Sequence, residues 1–295
     1  MDIRQLAALV AVAETGTFSA AAARLHTVQS NVSTHIAHLE RELGVTLVDR
    51  AAGRLTEEGD VVLARARRVQ AELDALVADV ASLRDEIAGR VHVGIIGTTG
   101  RWLLPLLLSE MRARHPRVQV TVLGENTTAL LPHLLSGRLD LALVNLPVTD
   151  PDVVSEPIFE EDLVLVAPAG HPLADAERVT LAELARHELL LTPPGTSIRV
   201  ELDAAATAAG VTLQARAEID GLRLITTLSL EGFGPAVVPS SAVSWETGDT
   251  WRRVLISGLG RRQVGLAHRR RRLPSRAARA LEQTVLDVIA AQAGA

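Results

Sequence analysis

The chain has 295 residues, 47% hydrophobic and 22% charged, with a net charge of −5; this is the balance of a globular chain of about two domains and excludes general disorder. It contains no cysteine, which excludes disulfides, thiolate chemistry and the usual structural zinc ligands. All 30 basic side chains are arginine, and a net negative charge does not announce a nucleic-acid partner, so such a reading has to come from local structure.

The opening MDIRQLAALV lacks the basic and apolar regions of an export signal, and no window approaches the roughly 20 apolar residues needed to span a bilayer. A cytoplasmic, non-membrane protein is expected. Ile3, Leu6, Leu9, Val10 and Ala13 stand at helical spacing, and Gly16 stops that helix. Ser19 is expected to cap a short alanine-rich helix running to Leu25. A three-residue turn, His26-Thr27-Val28, leads to a longer helix over residues 29–43 with Gly44 beyond its end. Two helices joined in this way form a helix-turn-helix.

Val32, Ile36, Leu39 and Leu43 share one side of that longer helix and are expected in the core. Ser30, Asn31, Thr34, His38 and Arg41 project from the other side, with Ser33 and His35 on its flanks. Asparagine can pair with adenine edges, Ser and Thr reach bases or phosphates, and the helix N-terminus attracts phosphate. Periodicity alone also fits a small helical bundle with a solvated polar face.

The run FSAAAARLHTVQSNVSTHIAHLERELGVTLVDR, followed by LTEEG, resembles the winged helix-turn-helix of LysR-type transcriptional regulators. The resemblance implies a DNA-binding domain over residues 1–58 that contacts double-stranded DNA with residues 29–35, among them Gln29, and a wing carrying Arg50, Arg54 and Thr56. Two departures stand out: Val48 where the family usually has Phe, and a short wing at residues 51–54. Residues 1–60 also hold five arginines against eight acidic residues, a balance of −3, which is unusual for a phosphate-binding domain.

Val62, Ala66, Val69, Leu73, Leu76, Val80, Leu83 and Ile87 alternate at spacings of four and three, an a/d seam of more than three heptads. A linker helix over residues 59–88 is therefore expected to pair with a second copy, unless it packs on its own domain. Two-fold pairing predicts a pseudo-palindromic DNA site.

From residue 89 onward strand-like runs at 91–96, 118–123, 139–144, 163–167, 189–191, 236–238 and 264–267 alternate with helical stretches, which argues for α/β units around mainly parallel sheets. The resemblance implies a two-lobed effector domain over residues 89–295, similar to a periplasmic binding protein. Lobe I would comprise 90–161 and 268–295, and lobe II 162–267, with crossovers near Glu161-Asp162 and Ala267-His268. The ligand would sit between them.

Strand 91–96 ends in Gly97-Thr98-Thr99-Gly100-Arg101 and opens a helix, and Thr196-Ser197 follow a second such turn. Ligands sit beyond the carboxyl ends of strands in open α/β sheets, and helix N-termini favour anions. Thr98, Thr99, Gly100, Thr196 and Ser197 are thus candidates for a small carboxylate or similar anion, although the hydroxyls could equally be helix caps. Arg101 is placed to meet such a carboxylate, and Arg199 reads as structural. Thr128, Asn145 and Phe233 line the effector cleft by the resemblance.

No metal site is expected from His26, His35 and His38, which lie beside the DNA-facing surface. Residues 252–279 carry ten arginines and no acidic residue, read as a solvated or subunit-contact surface. No catalytic motif is present, so neither an enzyme nor a cofactor is expected. A solute-binding protein would fit the α/β part alone but not the helix-turn-helix. The resemblance further implies a dimer of dimers, whose DNA bend responds to the effector, with RNA polymerase as a further partner open to such a regulator.

Overall fold

A computed structural model describes residues 1–50, 52–82, 87–243 and 250–293. Helices α1 (Ile3–Thr15), α2 (Phe18–Arg24) and α3 (Gln29–Leu43) are followed by a two-stranded antiparallel wing, β1 (Val48–Asp49) and β2 (Arg54–Leu55). Asp2 and Gln5 form a capping box on α1, and Gly16 ends it in the left-handed region at φ 75°. Thr17, not Ser19, caps α2 by accepting from the Ala20 amide. The Ser19 hydroxyl instead donates to Gln29. Ala8, Leu9, Ala21, Val32, Ile36, Leu39 and Leu47 form the core of this unit. Leu43 does not join it: the helix ends there, and the side chain is 39% exposed.

Helix α4 (Glu57–Ser82) leaves the wing, and its apolar seam divides between three settings. Val62 packs on the helix-turn-helix core, Ala66 with its neighbour Leu63 packs on Val10 of α1, and Ile87, beyond the end of α4, packs on the effector domain. Val69, Leu76 and Val80 stay exposed, Leu76 by 61%. Leu83 lies outside the described residues.

The remaining elements are β3 (Ala88–Ile95), α5 (Gly97–Arg114), β4 (Arg117–Gly124), α6 (Thr127–Leu135), β5 (Leu141–Asn145), β6 (Val153–Glu161), β7 (Leu163–Pro168), β8 (Arg178–Thr180), α7 (Leu181–Leu184), β9 (Glu188–Leu191), α8 (Ser197–Ala208), β10 (Gln214–Glu218), α9 (Leu222–Leu230), β11 (Ala236–Pro239), β12 (Trp251–Ser257), β13 (Arg262–Arg269) and α10 (Arg276–Ala293). They build two sheets, β4-β3-β5-β13-β6 in lobe I and β10-β9-β11-β7-β12-β8 in lobe II. Both sheets are mainly parallel, as the alternation implied, with one reversed strand in each: β7 and β13, the strands that follow the two crossovers, run antiparallel to both of their neighbours.

The first crossover joins β6 to β7 at Glu161-Asp162. The second joins β12 to β13 through residues 258–261, not near Ala267-His268. All of β13 pairs with β5 and β6, so residues 262–267 belong to lobe I. Helix α10 then closes lobe I through Ala277, Leu281, Val285 and Ile289. Among the described residues no single helix is long and apolar enough to cross a membrane.

Candidate functional site

Helix α3 presents Gln29, Ser30, Asn31, Thr34 and His38 to solvent, with Ser33 and His35 half-buried. Its N-cap is Val28, which supplies no side-chain acceptor, so the amides of Gln29 and Ser30 remain available to a phosphate while that of Asn31 donates to Val28 O. Asn31 Nδ2 donates to Thr27 Oγ1 at 2.9 Å, which fixes the direction of the amide. Arg50 is fixed twice over: it lies 5.3 Å from the Phe18 ring centroid and donates to Ser33 Oγ at 3.2 Å. Glu40 accepts from the Leu47 and Val48 amides at 2.8 and 3.2 Å and so pins the turn into the wing.

Arg54 is exposed on β2, on the same wing. Thr56 is in a different situation, since its hydroxyl donates to Thr46 O at 2.7 Å and accepts from the Gly59 amide at 3.0 Å. It caps α4. The acidic balance of this unit is partly answered from outside it, because Glu14, which also pairs with Arg24, lies 3.7 Å from Arg67 of the linker helix.

The second site is a cavity of about 480 Å³ between the lobes. It lies beyond the carboxyl ends of β3, β4, β5, β9 and β10, where the N-termini of α5, α8 and α9 converge. None of these three helices has a side-chain cap, which leaves their first-turn amides to a ligand. Thr98, Asn145, Thr196 and Ser197 line the cavity. The Thr196 hydroxyl lies 2.8 Å from Thr192 Oγ1 and 2.9 Å from Pro193 O, so it braces its own turn.

Five sequence candidates fall elsewhere. Thr99 and Gly100 are buried in the first turn of α5 and do not line the cavity. Arg101 crosses to lobe II and bonds Ala242 O. Thr128 points outward, while its neighbour Thr127 is buried and accepts from the Asn145 amide at 2.9 Å. Phe233 is 56% exposed and does not reach the cavity. Arg199, although close to the cleft, is a brace, bonded to Asp203, Thr192 O and Glu218.

The side chain at the centre of the cleft is one the sequence did not single out. Arg262, the first residue of β13, is 1% exposed and lines the cavity. Its Nε donates to Asn145 Oδ1 at 2.7 Å, Nη1 donates to Thr98 Oγ1 at 3.0 Å, and Glu161 Oε1 lies 3.2 Å away. Its Nη2 is buried without a partner. Burial pushes the guanidinium pKa down, while Glu161 and Glu201 pull it back up. Burial likewise holds the Glu201 carboxyl above the usual range, against the pull of Arg262.

Asn126, Asp220 and Arg223 complete the cleft, with Asn126 Nδ2 bridging the lobes to Asp220 at 3.1 Å. Asn126 could have been found from sequence, since Asn before Thr127-Thr128 is a helix-cap pattern facing the same strand ends. Arg262 carried no such signal, being one arginine among ten.

A helix-turn-helix unit joined by a long helix to a two-lobed α/β domain with a polar cleft defines a ligand-binding DNA-binding protein. Residues 3–60 match the family described as bacterial regulatory helix-turn-helix protein, lysR family, and residues 84–290 match the LysR substrate binding domain. The chain is a LysR-type DNA-binding transcription regulator with an effector-binding domain.

It is 36% identical to a probable hydrogen peroxide-inducible genes activator of Streptomyces viridosporus over 249 residues, covering 83% of this chain and 80% of the relative. It is 30% identical to the DNA-binding transcriptional dual regulator OxyR of Escherichia coli, covering 82% and 80%. Among solved structures, a full-length OxyR variant from Pseudomonas aeruginosa matches with a TM-score of 0.75 at 25% identity, covering 98% of this chain and 94% of that one. CbnR, a LysR family regulator, shares the fold at a TM-score of 0.72 and 24% identity, covering 98% and 99%.

Proposed function

We propose that the protein acts in the cytoplasm and binds a pseudo-palindromic promoter site as a dimer paired through α4, or as two such dimers, and that a small carboxylate or similar anion in the inter-lobe cleft alters that binding. Asn31, Thr34 and His38 read bases, and Gln29, Ser30, Arg50 and Arg54 hold phosphates. The observation that carries the ligand reading is Arg262, a buried guanidinium with a free Nη2 on a cavity ringed by uncapped helix N-termini. The peroxide response named for several relatives is not extended to this chain, because it has no thiol for peroxide to oxidise.

Thermal shift against a panel of mono- and dicarboxylic acids tests the proposal. A hit should stabilise the wild-type protein and lose that effect in Arg262→Lys, which keeps the charge but not the fork. Stabilisation by neutral or cationic compounds alone would overturn it.

A further inference from the structure

A second cavity, of about 470 Å³, lies between α1, α4 and lobe I and shares no lining residue with the inter-lobe cleft. Part of its wall is the tight turn at Gly137, where φ is +78°. A Cβ at Gly137 would stand 3.3 Å from Arg269 Nη1 and 3.3 Å from Arg68 Cγ, so two like-charged side chains flank one turn, one from the linker helix and one from β13. Arg67 and Arg138 line the same cavity. Arg68 Nη2 donates to Leu135 O at 2.8 Å, yet the Nε groups of Arg67, Arg68 and Arg269 are all buried without a partner. Arg269 is pushed below its ordinary pKa by burial first and then by Arg68, with Asp140 and Glu72 opposing, and Arg67 by burial and by Arg138, with Glu14 and Asp60 opposing.

Buried guanidinium groups with unpaired N–H donors and like-charged neighbours are costly unless an anion joins them. A carboxylate offers two oxygens, too few for donors arriving from α4, the Gly137 turn and β13. A phosphoryl group offers three terminal oxygens and more than one negative charge. The cavity is larger than a bare phosphate needs, and the carboxylates of Glu14, Glu72, Asp74 and Asp140, which also line it, can accept from hydroxyl groups.

We infer that this cavity is a second ligand site, which takes the phosphoryl group of a small phosphorylated, hydroxyl-bearing metabolite on Arg67, Arg138 and Arg269 and thereby ties the linker helix to lobe I. One of the four consecutive arginines at 269–272 acquires a role by this route, since Arg269 lines the site.

Isothermal titration calorimetry of the full-length protein with glucose 6-phosphate and, separately, inorganic phosphate, at constant ionic strength, tests the inference. Both should bind the wild type, glucose 6-phosphate more tightly. Arg269→Gln and the exposed Arg138→Gln should each weaken both by about tenfold, and Arg262→Lys in the cleft should leave both unchanged. Should Arg269→Gln not fold, Arg138→Gln alone decides. No binding to the wild type, undiminished binding to Arg138→Gln, or loss of binding in Arg262→Lys would overturn the inference; the last would place the phosphate in the inter-lobe cleft. Binding of inorganic phosphate without preference for the sugar phosphate would reject the metabolite and leave only an ion.

Discussion

A guanidinium removed from water survives where each face meets an acceptor or an anion, and Arg262 meets Asn145, Thr98 and Glu161 on three sides. Arg262→Met therefore leaves Glu161 buried and unpaired, and is expected to destabilise the effector domain by about 3 kcal/mol, read from chemical denaturation. Glu201 adds a pH dependence. Its carboxyl is raised by burial, so stability is lost as pH rises from the ordinary carboxylate range through the raised value, and is fully present only below the ordinary range. A bound anion beside Arg262 repels the ionised form and raises that pKa further. Carboxylate binding is thus expected to tighten as pH falls toward the raised value, and calorimetry across that range should find the slope flattened in Glu201→Gln. On the DNA side, Arg50 is preset by Phe18 and Ser33. Arg50→Ala should weaken binding to all sequences alike and lower the salt slope by about one, whereas Asn31→Ala should relax preference at one base pair.

Among the elements, α4 carries the clearest unfinished surface. Val69, Leu76 and Val80 are exposed along one stretch of it, while Leu63 and Ala66 are already used against α1. Leu76→Asp with Val80→Asp is expected to shift the solution mass by light scattering toward a single chain, with the circular dichroism of the wild type retained. Gly59, in the first turn of α4, has no room for a methyl group: a Cβ would sit 2.1 Å from Leu47 O. Gly59→Ala should cost about 2 kcal/mol and lower the melting temperature.

Sequence patterns located α3 because a polar face, an apolar stripe and Gly44 all agree on one helix. Strand β6 escaped notice because Pro157 and the acidic residues Glu156, Glu160 and Glu161 interrupt its alternation; it lies at the edge of its sheet, where proline and charge are tolerated. Strand β13 was found, but local alternation does not say which sheet a strand joins, hence the misplaced second crossover. The cleft residues legible in sequence, Thr98, Thr196 and Ser197, sit at strand-to-helix turns. Arg262 reaches the cavity only through the tertiary pairing of β13, which leaves no local trace, and Asp220 stands at the turn from β10 to α9, a turn that went unread because β10 carries no apolar residue larger than alanine.

Across the whole molecule, the lobes touch through Asn126 and Asp220, through Glu161 and the Ser241 amide at 3.0 Å, and through Arg101 and Ala242. Any ligand that prefers one separation of the lobes shifts the population of these contacts, and only by its difference in affinity for the two states. Lobe I in turn holds the linker helix through Arg68 and Leu135 O, and that helix reaches α1 through Arg67 and Glu14, 3.7 Å apart. The chain of contacts from Arg262 to the DNA-facing helix is therefore short and testable. The most direct measurement is a footprint of the full-length protein on the DNA upstream of its own gene, with and without the carboxylate identified by thermal shift, in the wild type and in Arg262→Lys. The account predicts protection of a two-fold symmetric site by both proteins and a ligand-dependent change in its extent for the wild type alone. A ligand response that survives unchanged in Arg262→Lys, or no protected site, would contradict it.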